Sequence, residues 1–311
     1  MTAKKSDGAD KELSSTITAE AGYFARTARP VYALVFLLPF IIFYEILVLL
    51  VNPQLLTEPV SNVRGAVVSF VWVQNFLHYL GMNTKSAWLF APLVVMLTLL
   101  ILQLASRQNW KVRPGDLPVM AVECLVLAVP LIVLALVLNR GANRQSSAVE
   151  NFSKIIACKT CLQTKQPVEF VSDVSGSNTG WRYESGSHNI AMDLLTGIGA
   201  GIYEELIFRL ILISLSILFF ETVLGISRFK AVAVSVIISS VLFSLHHHFV
   251  FLNGQFARAE IFTMTRFAFR TIAGVFFAVI FAARGFGIAA GTHAFYDIIA
   301  TLLNAWLFEQ Y

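Results

Sequence analysis

The chain has 311 residues, of which 57% are hydrophobic and only 14% charged, with a mean hydropathy of +0.70. Soluble domains carry about 25% charged residues, so this much apolar surface excludes a single water-exposed core and makes a bilayer part of the solvent. The net charge of +4 is dispersed along the chain, which excludes a nucleic-acid patch, and three cysteines are too few for a disulfide scaffold.

A polar segment, 1–30, carries Lys4, Lys5, Lys11, Arg26 and Arg29 ahead of the first apolar run, 31–51. That run is too long for a signal-peptide core and lacks a small-residue cleavage site after it, so it reads as a retained anchor. Runs 87–105 and 118–138 follow, and the three make an N-terminal membrane unit, 31–138. A weaker run, 66–81, is short and contains His78; it spans, lies in the interface or re-enters. Segment 139–189 is polar and reads as an extramembrane loop. It holds Cys158 and Cys161, a single CxxC that is a weak zinc signal, a disulfide in an oxidising compartment, or two cysteines without chemistry. Runs 190–220, 231–252, 267–283 and 286–308 form a second membrane unit, 190–308. The runs are continuous and lack period-2 alternation, which selects helices over a barrel. The expectation is an all-α, polytopic integral membrane protein with seven or eight transmembrane helices. If 66–81 does not cross, Lys and Arg collect on the side of the N-terminus, which makes that side cytoplasmic.

A charge at the centre of a membrane helix costs about 2.5–3.5 kcal/mol on insertion scales, so the informative positions are those where the chain accepts it. In the 190–220 run, Glu205 and Arg209 are four apart on one face, acid first, and neutralise each other. Glu204 is rotated about 100° away, off the Arg209 face. A desolvated carboxylate there takes a proton from water more readily. A purely structural ion network would not need this second acid. Late in the 231–252 run stand His246, His247 and His248, of which at most one or two can face a shared interior. In the last run His293 and Asp297 share a face and must look into the bundle or a wet cavity. Gly197, Gly199 and Gly201 follow no strand, which excludes a nucleotide loop; they permit close approach of a neighbouring helix or a substrate. Glu45 and Glu123 are further misplaced acids, and sequence offers a partner for neither.

Brought to one depth, Glu204, one histidine of the triplet, His293 and Asp297 make a hydrolytic site: the acid activates water, and the opposite pair faces the developing oxyanion. No Ser or Cys resembles an activated nucleophile; the one membrane cysteine, Cys124, has no histidine near it in sequence.

The ordered motifs EExxxR (Glu204, Glu205, Arg209), FxxxH (Phe243, His247) and HxxxN/D (His293, Asp297) resemble the CAAX-protease and bacteriocin-processing family, which includes the Rce1-type prenyl endoproteases. The resemblance covers roughly residues 190–308. It implies an intramembrane endopeptidase in which Glu204 activates water with His247 as its partner. His293 and Asp297 would stabilise the oxyanion, and Glu205 and Arg209 would support the site. Asp at 297 departs from the Asn that donates most easily, so it would be protonated, orient His293 or bind a metal. No cofactor is favoured, although zinc on Glu204, His247 and His293 is the competing arrangement. The implied partners are a membrane-anchored protein or peptide substrate and the lipid bilayer, with no nucleic acid; the implied location is the bacterial inner (plasma) membrane. A non-proteolytic scaffold or immunity-type protein using the same pocket is the alternative function. A transporter or proton relay is a third, against which the lack of an inverted repeat counts.

Overall fold

The computed structural model describes residues 22–51, 68–146, 169–171, 180–182, 190–252, 255–258 and 262–308. Cys158 and Cys161, most of the 139–189 segment, and the cations at positions 4, 5 and 11 lie outside the described residues.

A short helix α1 (Tyr23–Thr27) leads into α2 (Pro30–Val51), then α3 (Val68–Tyr79), α4 (Thr84–Ser106) and α5 (Asp116–Ser146). In the second half come α6 (Ile190–Glu205), a π-helical stretch (Leu206–Ile213), α7 (Ser214–Thr222), α8 (Arg228–His248), α9 (Met264–Arg284) and α10 (Phe286–Phe308). Two small antiparallel hairpins add to the helices: β1 (Glu169–Val171) with β2 (Gly180–Arg182), and β3 (Phe249–Leu252) with β4 (Gln255–Arg258).

Among the described residues four helices are long and apolar enough to cross a membrane: Asp116–Leu138, Arg228–His248, Met264–Arg284 and Phe286–Leu303. The apolar stretches Pro30–Ile46 and Phe90–Ser106 are shorter. The protein is integral to a membrane and helical, with four such spans where seven or eight were expected. Lipid contact is written on α5, whose Val119, Val122, Val126, Val129, Val133 and Val137 are all exposed. This helix runs to Ser146, past the boundary at 138 that hydropathy suggested, because polarity alone does not end a helix. Twelve-residue α3 is about 18 Å long and too short to cross ~30 Å of hydrocarbon. It is wedged against α4 and α6 and buries Phe70, Val71, Val73 and Leu77.

The core of the C-terminal half is the packing of α10 on α6. Gly197 and Gly201 make it possible. A Cβ on Gly201 would sit 2.6 Å from the Ala294 nitrogen and 2.8 Å from the Ala290 carbonyl oxygen, and one on Gly197 would sit 2.9 Å from Asp297 Cβ. Small residues four apart let two membrane helices touch backbone to backbone. This contact carries His293 and Asp297 up against the end of α6.

At one end of the bundle a charged clamp ties α1 to α5 and α9. Glu123 receives Arg284 Nη2 at 2.8 Å and the Tyr23 hydroxyl at 2.7 Å, and Arg284 also donates to Thr27 and the Phe24 carbonyl. Burial first, then the Glu123 carboxylate, pushes the Tyr23 phenol above its usual range. Beside it, Arg26 Nη2 reaches Asp116 at 3.1 Å, and Asp116 accepts from Tyr32 at 2.8 Å. Glu123 therefore has partners that are 100 and 161 residues away in sequence.

Candidate active site

Three helices supply the site. Glu204 and Glu205 end α6, and the backbone then widens into the π-helical stretch, a local departure that is frequent at functional positions. Ser239 of α8 donates to the carbonyl of Phe208 in that stretch at 2.6 Å. Every charge here is inside protein: Glu204 is 3% exposed, Glu205 and Arg209 0%.

Glu205 is held at both oxygens. Its Oε2 is 3.2 Å from Arg209 Nε, and its Oε1 accepts from His293 Nδ1 at 2.8 Å. Arg209 also donates to the carbonyl of Gly274 at 3.2 Å and lies 4.2 Å from the Phe243 ring centre. A desolvated guanidinium gains from such an aromatic face. A bulkier residue at 274 would press on Ser240, which lies 3.0 Å from a Cβ built there.

Glu204 faces the other way. Its Oε2 lies 3.9 Å from His247 Nε2 and 3.9 Å from His293 Nε2. Both rings have a fixed tautomeric sense at Nδ1. His247 Nδ1 must donate to the Phe243 carbonyl at 2.8 Å, since a carbonyl only accepts, and His293 Nδ1 donates to Glu205. Each imidazole thus presents Nε2 to Glu204. His293 is stacked on Phe277 at 4.5 Å with the rings 17° apart, which fixes its plane. Its Nε2 is also 3.5 Å from Asp297 Oδ2, so a proton on that nitrogen has two carboxylates within reach.

The histidine triplet divides as helical geometry requires. His246 is buried between Trp72 (4.7 Å between ring centres) and Phe208 (5.4 Å), and His248 packs on Phe262 (5.0 Å). His247 makes an ion-pair contact with Glu204. All six residues singled out from sequence, Glu204, Glu205, Arg209, His247, His293 and Asp297, are linked in one continuous set of contacts. Phe277, Gly274 and Ser239 were not singled out, because in a membrane helix an aromatic or small residue reads as lipid or packing surface.

A tetrahedral zinc at the usual ~2.1 Å bonds would need Glu204, His247 and His293 donors roughly 3.4 Å apart, closer than the 3.9 Å separations present. No group of three His, Cys, Asp or Glu among the described residues is spaced to hold a metal ion. The donor chemistry of one carboxylate and two imidazoles would suit zinc.

Residues 186–299 match the family of type II CAAX prenyl endopeptidases, Rce1-like. The likeness covers a little over a third of the 311-residue chain. The matched segment contains α6, the π-helical stretch and α7 to α9, with most of α10, and so every residue of the site. None of the curated proteins and none of the solved structures matches the chain.

Proposed function

We propose that the protein is an intramembrane endopeptidase that hydrolyses a peptide bond of a membrane-associated protein or peptide with water activated by Glu204. The observation that carries this is the convergence of one buried carboxylate with two imidazole Nε2 atoms, each at 3.9 Å. Water bound between Glu204 and His247 loses a proton to Glu204 as its oxygen attacks the carbonyl carbon. The carbonyl oxygen, gaining charge, faces Nε2–H of a doubly protonated His293, whose two ring nitrogens lie against Glu205 and Asp297. Asp297 need not donate, which accounts for an acid at that position. Glu204 then returns its proton to the departing amine as the C–N bond breaks, leaving a carboxylate and an amine. Glu205, Arg209 and Phe277 hold His293 in plane and position. The loop cations support a cytoplasmic N-terminus, and the family resemblance supports a bacterial inner membrane.

The test is cleavage of an internally quenched peptide bearing a farnesylated cysteine three residues from its C-terminus, by purified protein in detergent with excess EDTA. Cleavage that persists in EDTA, with metal well below one equivalent by elemental analysis, is expected. Activity that vanishes in EDTA and returns with zinc contradicts the metal-free mechanism.

A further inference from the structure

Beside the site lies a second set of polar side chains to which the chemistry above gives no work. Ser69 and Gln74 on α3, Tyr44 on α2 and Tyr203 on α6 are 0%, 2%, 1% and 1% exposed. The Tyr44 hydroxyl, the Ser69 hydroxyl and both polar atoms of the Gln74 carboxamide make no hydrogen bond among the described residues. The Tyr203 hydroxyl is paired with the side chain of Glu45, next to Tyr44. Three helices meet here through their rings: Phe70 of α3 lies 4.8 Å from Tyr203 and 5.7 Å from Tyr44, and the two tyrosines are 5.8 Å apart.

The cluster adjoins the active site on two sides. Tyr203 immediately precedes Glu204. On α3, Trp72 lies 4.7 Å from His246, the neighbour of His247. Around that helix Ser69 falls between Phe70 and Trp72, about 100° from one and 60° from the other, so it points between the tyrosines and the histidines. Gln74 stands one turn beyond Phe70, on the tyrosine side. A polar group buried in apolar surroundings without a partner costs several kcal/mol, and in hydrocarbon no lipid can supply that partner.

A peptide bond cut within a bilayer has the complementary need. A helical substrate covers its carbonyls with its own hydrogen bonds, so the segment to be cut must be extended. Its freed N–H and C=O groups then require partners from protein. A carboxamide offers one donor and one acceptor in a plane, as a peptide unit does, and each hydroxyl both donates and accepts.

We propose that Ser69 and Gln74 of α3, with the Tyr44 hydroxyl, bind the main chain of the extended substrate segment flanking the scissile bond. Gln74 pairs with one peptide unit. The ligand class is an unfolded polypeptide backbone, recognised without regard to side-chain sequence; this rests on the proteolytic reading. Hairpins and helices that keep their own hydrogen bonds are poor ligands for such a wall.

The test uses the quenched farnesylated peptide and a scan of analogues in which one backbone amide at a time is replaced by an ester, which removes that N–H. The scan is run on the full-length wild type, Gln74→Leu and Ser69→Ala, with thermal midpoints recorded alongside. The wild type is expected to lose about ten-fold in kcat/KM at one or two ester positions, the order of one hydrogen bond. Gln74→Leu is expected to lose about ten-fold on the all-amide peptide, mostly through KM, and to become indifferent to the ester at one of those positions. Its midpoint should stay or rise, since an apolar isostere replaces a polar group that lacks a partner. A midpoint lowered by several degrees, an unchanged kcat/KM, or an ester penalty that persists in both variants overturns the proposal while leaving proteolysis intact. A wild type that cleaves none of the peptides overturns the proteolytic reading, and this proposal with it.

Discussion

Arg209→Met is expected to lower the thermal midpoint of the detergent-solubilised protein by about 5–15 °C, the equivalent of roughly 3–5 kcal/mol. The cause is not the missing cation alone. Glu205 would be left charged at 0% exposure with its 3.2 Å partner gone, and an uncompensated buried charge is far more damaging than the loss of a surface pair. Arg209 also bridges the π-helical stretch to α9 through the Gly274 carbonyl and covers Phe243, so its removal loosens the helix that carries Phe277. Glu205→Gln in the same molecule should recover much of the loss, because a neutral carboxamide still accepts from His293 Nδ1. Midpoints from tryptophan fluorescence for the two single variants and the double variant measure this coupling directly. A double variant no more stable than Arg209→Met would show that the pair is not the unit that matters.

Glu204→Gln carries the largest expected effect on activity. The side chain keeps its shape and its place 3.9 Å from both imidazoles, but a carboxamide takes no proton from water. A positioned general base contributes typically 10²–10⁴-fold, and turnover of the quenched peptide should fall by about that factor. The thermal midpoint should move by no more than a few degrees, since the carboxamide has the shape and volume of the carboxylate it replaces. Glu204→Asp should fall between the two, because the carboxylate draws back by one methylene from the water it must hold. A Glu204→Gln protein as active as the wild type would remove the acid from the chemistry. A phenotype that survives this substitution in cells, with no cleavage by either protein, would favour a scaffold.

Much of this arrangement is legible in the sequence because the bilayer makes charges conspicuous. Glu204, Glu205, Arg209, His293 and Asp297 stand out where almost everything around them is apolar, and a spacing of four already puts two pairs on shared faces. What spacing does not reveal is distance between helices. That His293 is held by Glu205 rather than only by Asp297 follows from Gly197 and Gly201 letting α10 touch α6. Phe277, stacked on His293, is invisible for the opposite reason: an apolar ring in a membrane helix is indistinguishable from one that faces lipid. Glu123 looked out of place, yet its partners Tyr23 and Arg284 come from α1 and the far end of α9. The described residues hold four helices that meet the length and apolarity of a span, so the expected seven or eight crossings are not confirmed among them.

The most direct measurement is a single turnover in ¹⁸O-enriched water, with product peptides and intact protein weighed at successive times. Direct attack by water predicts one ¹⁸O in the newly freed carboxyl group and a protein mass that never changes. A protein mass raised by that of the acyl fragment at any time would mean that a side chain, and not water, attacks first.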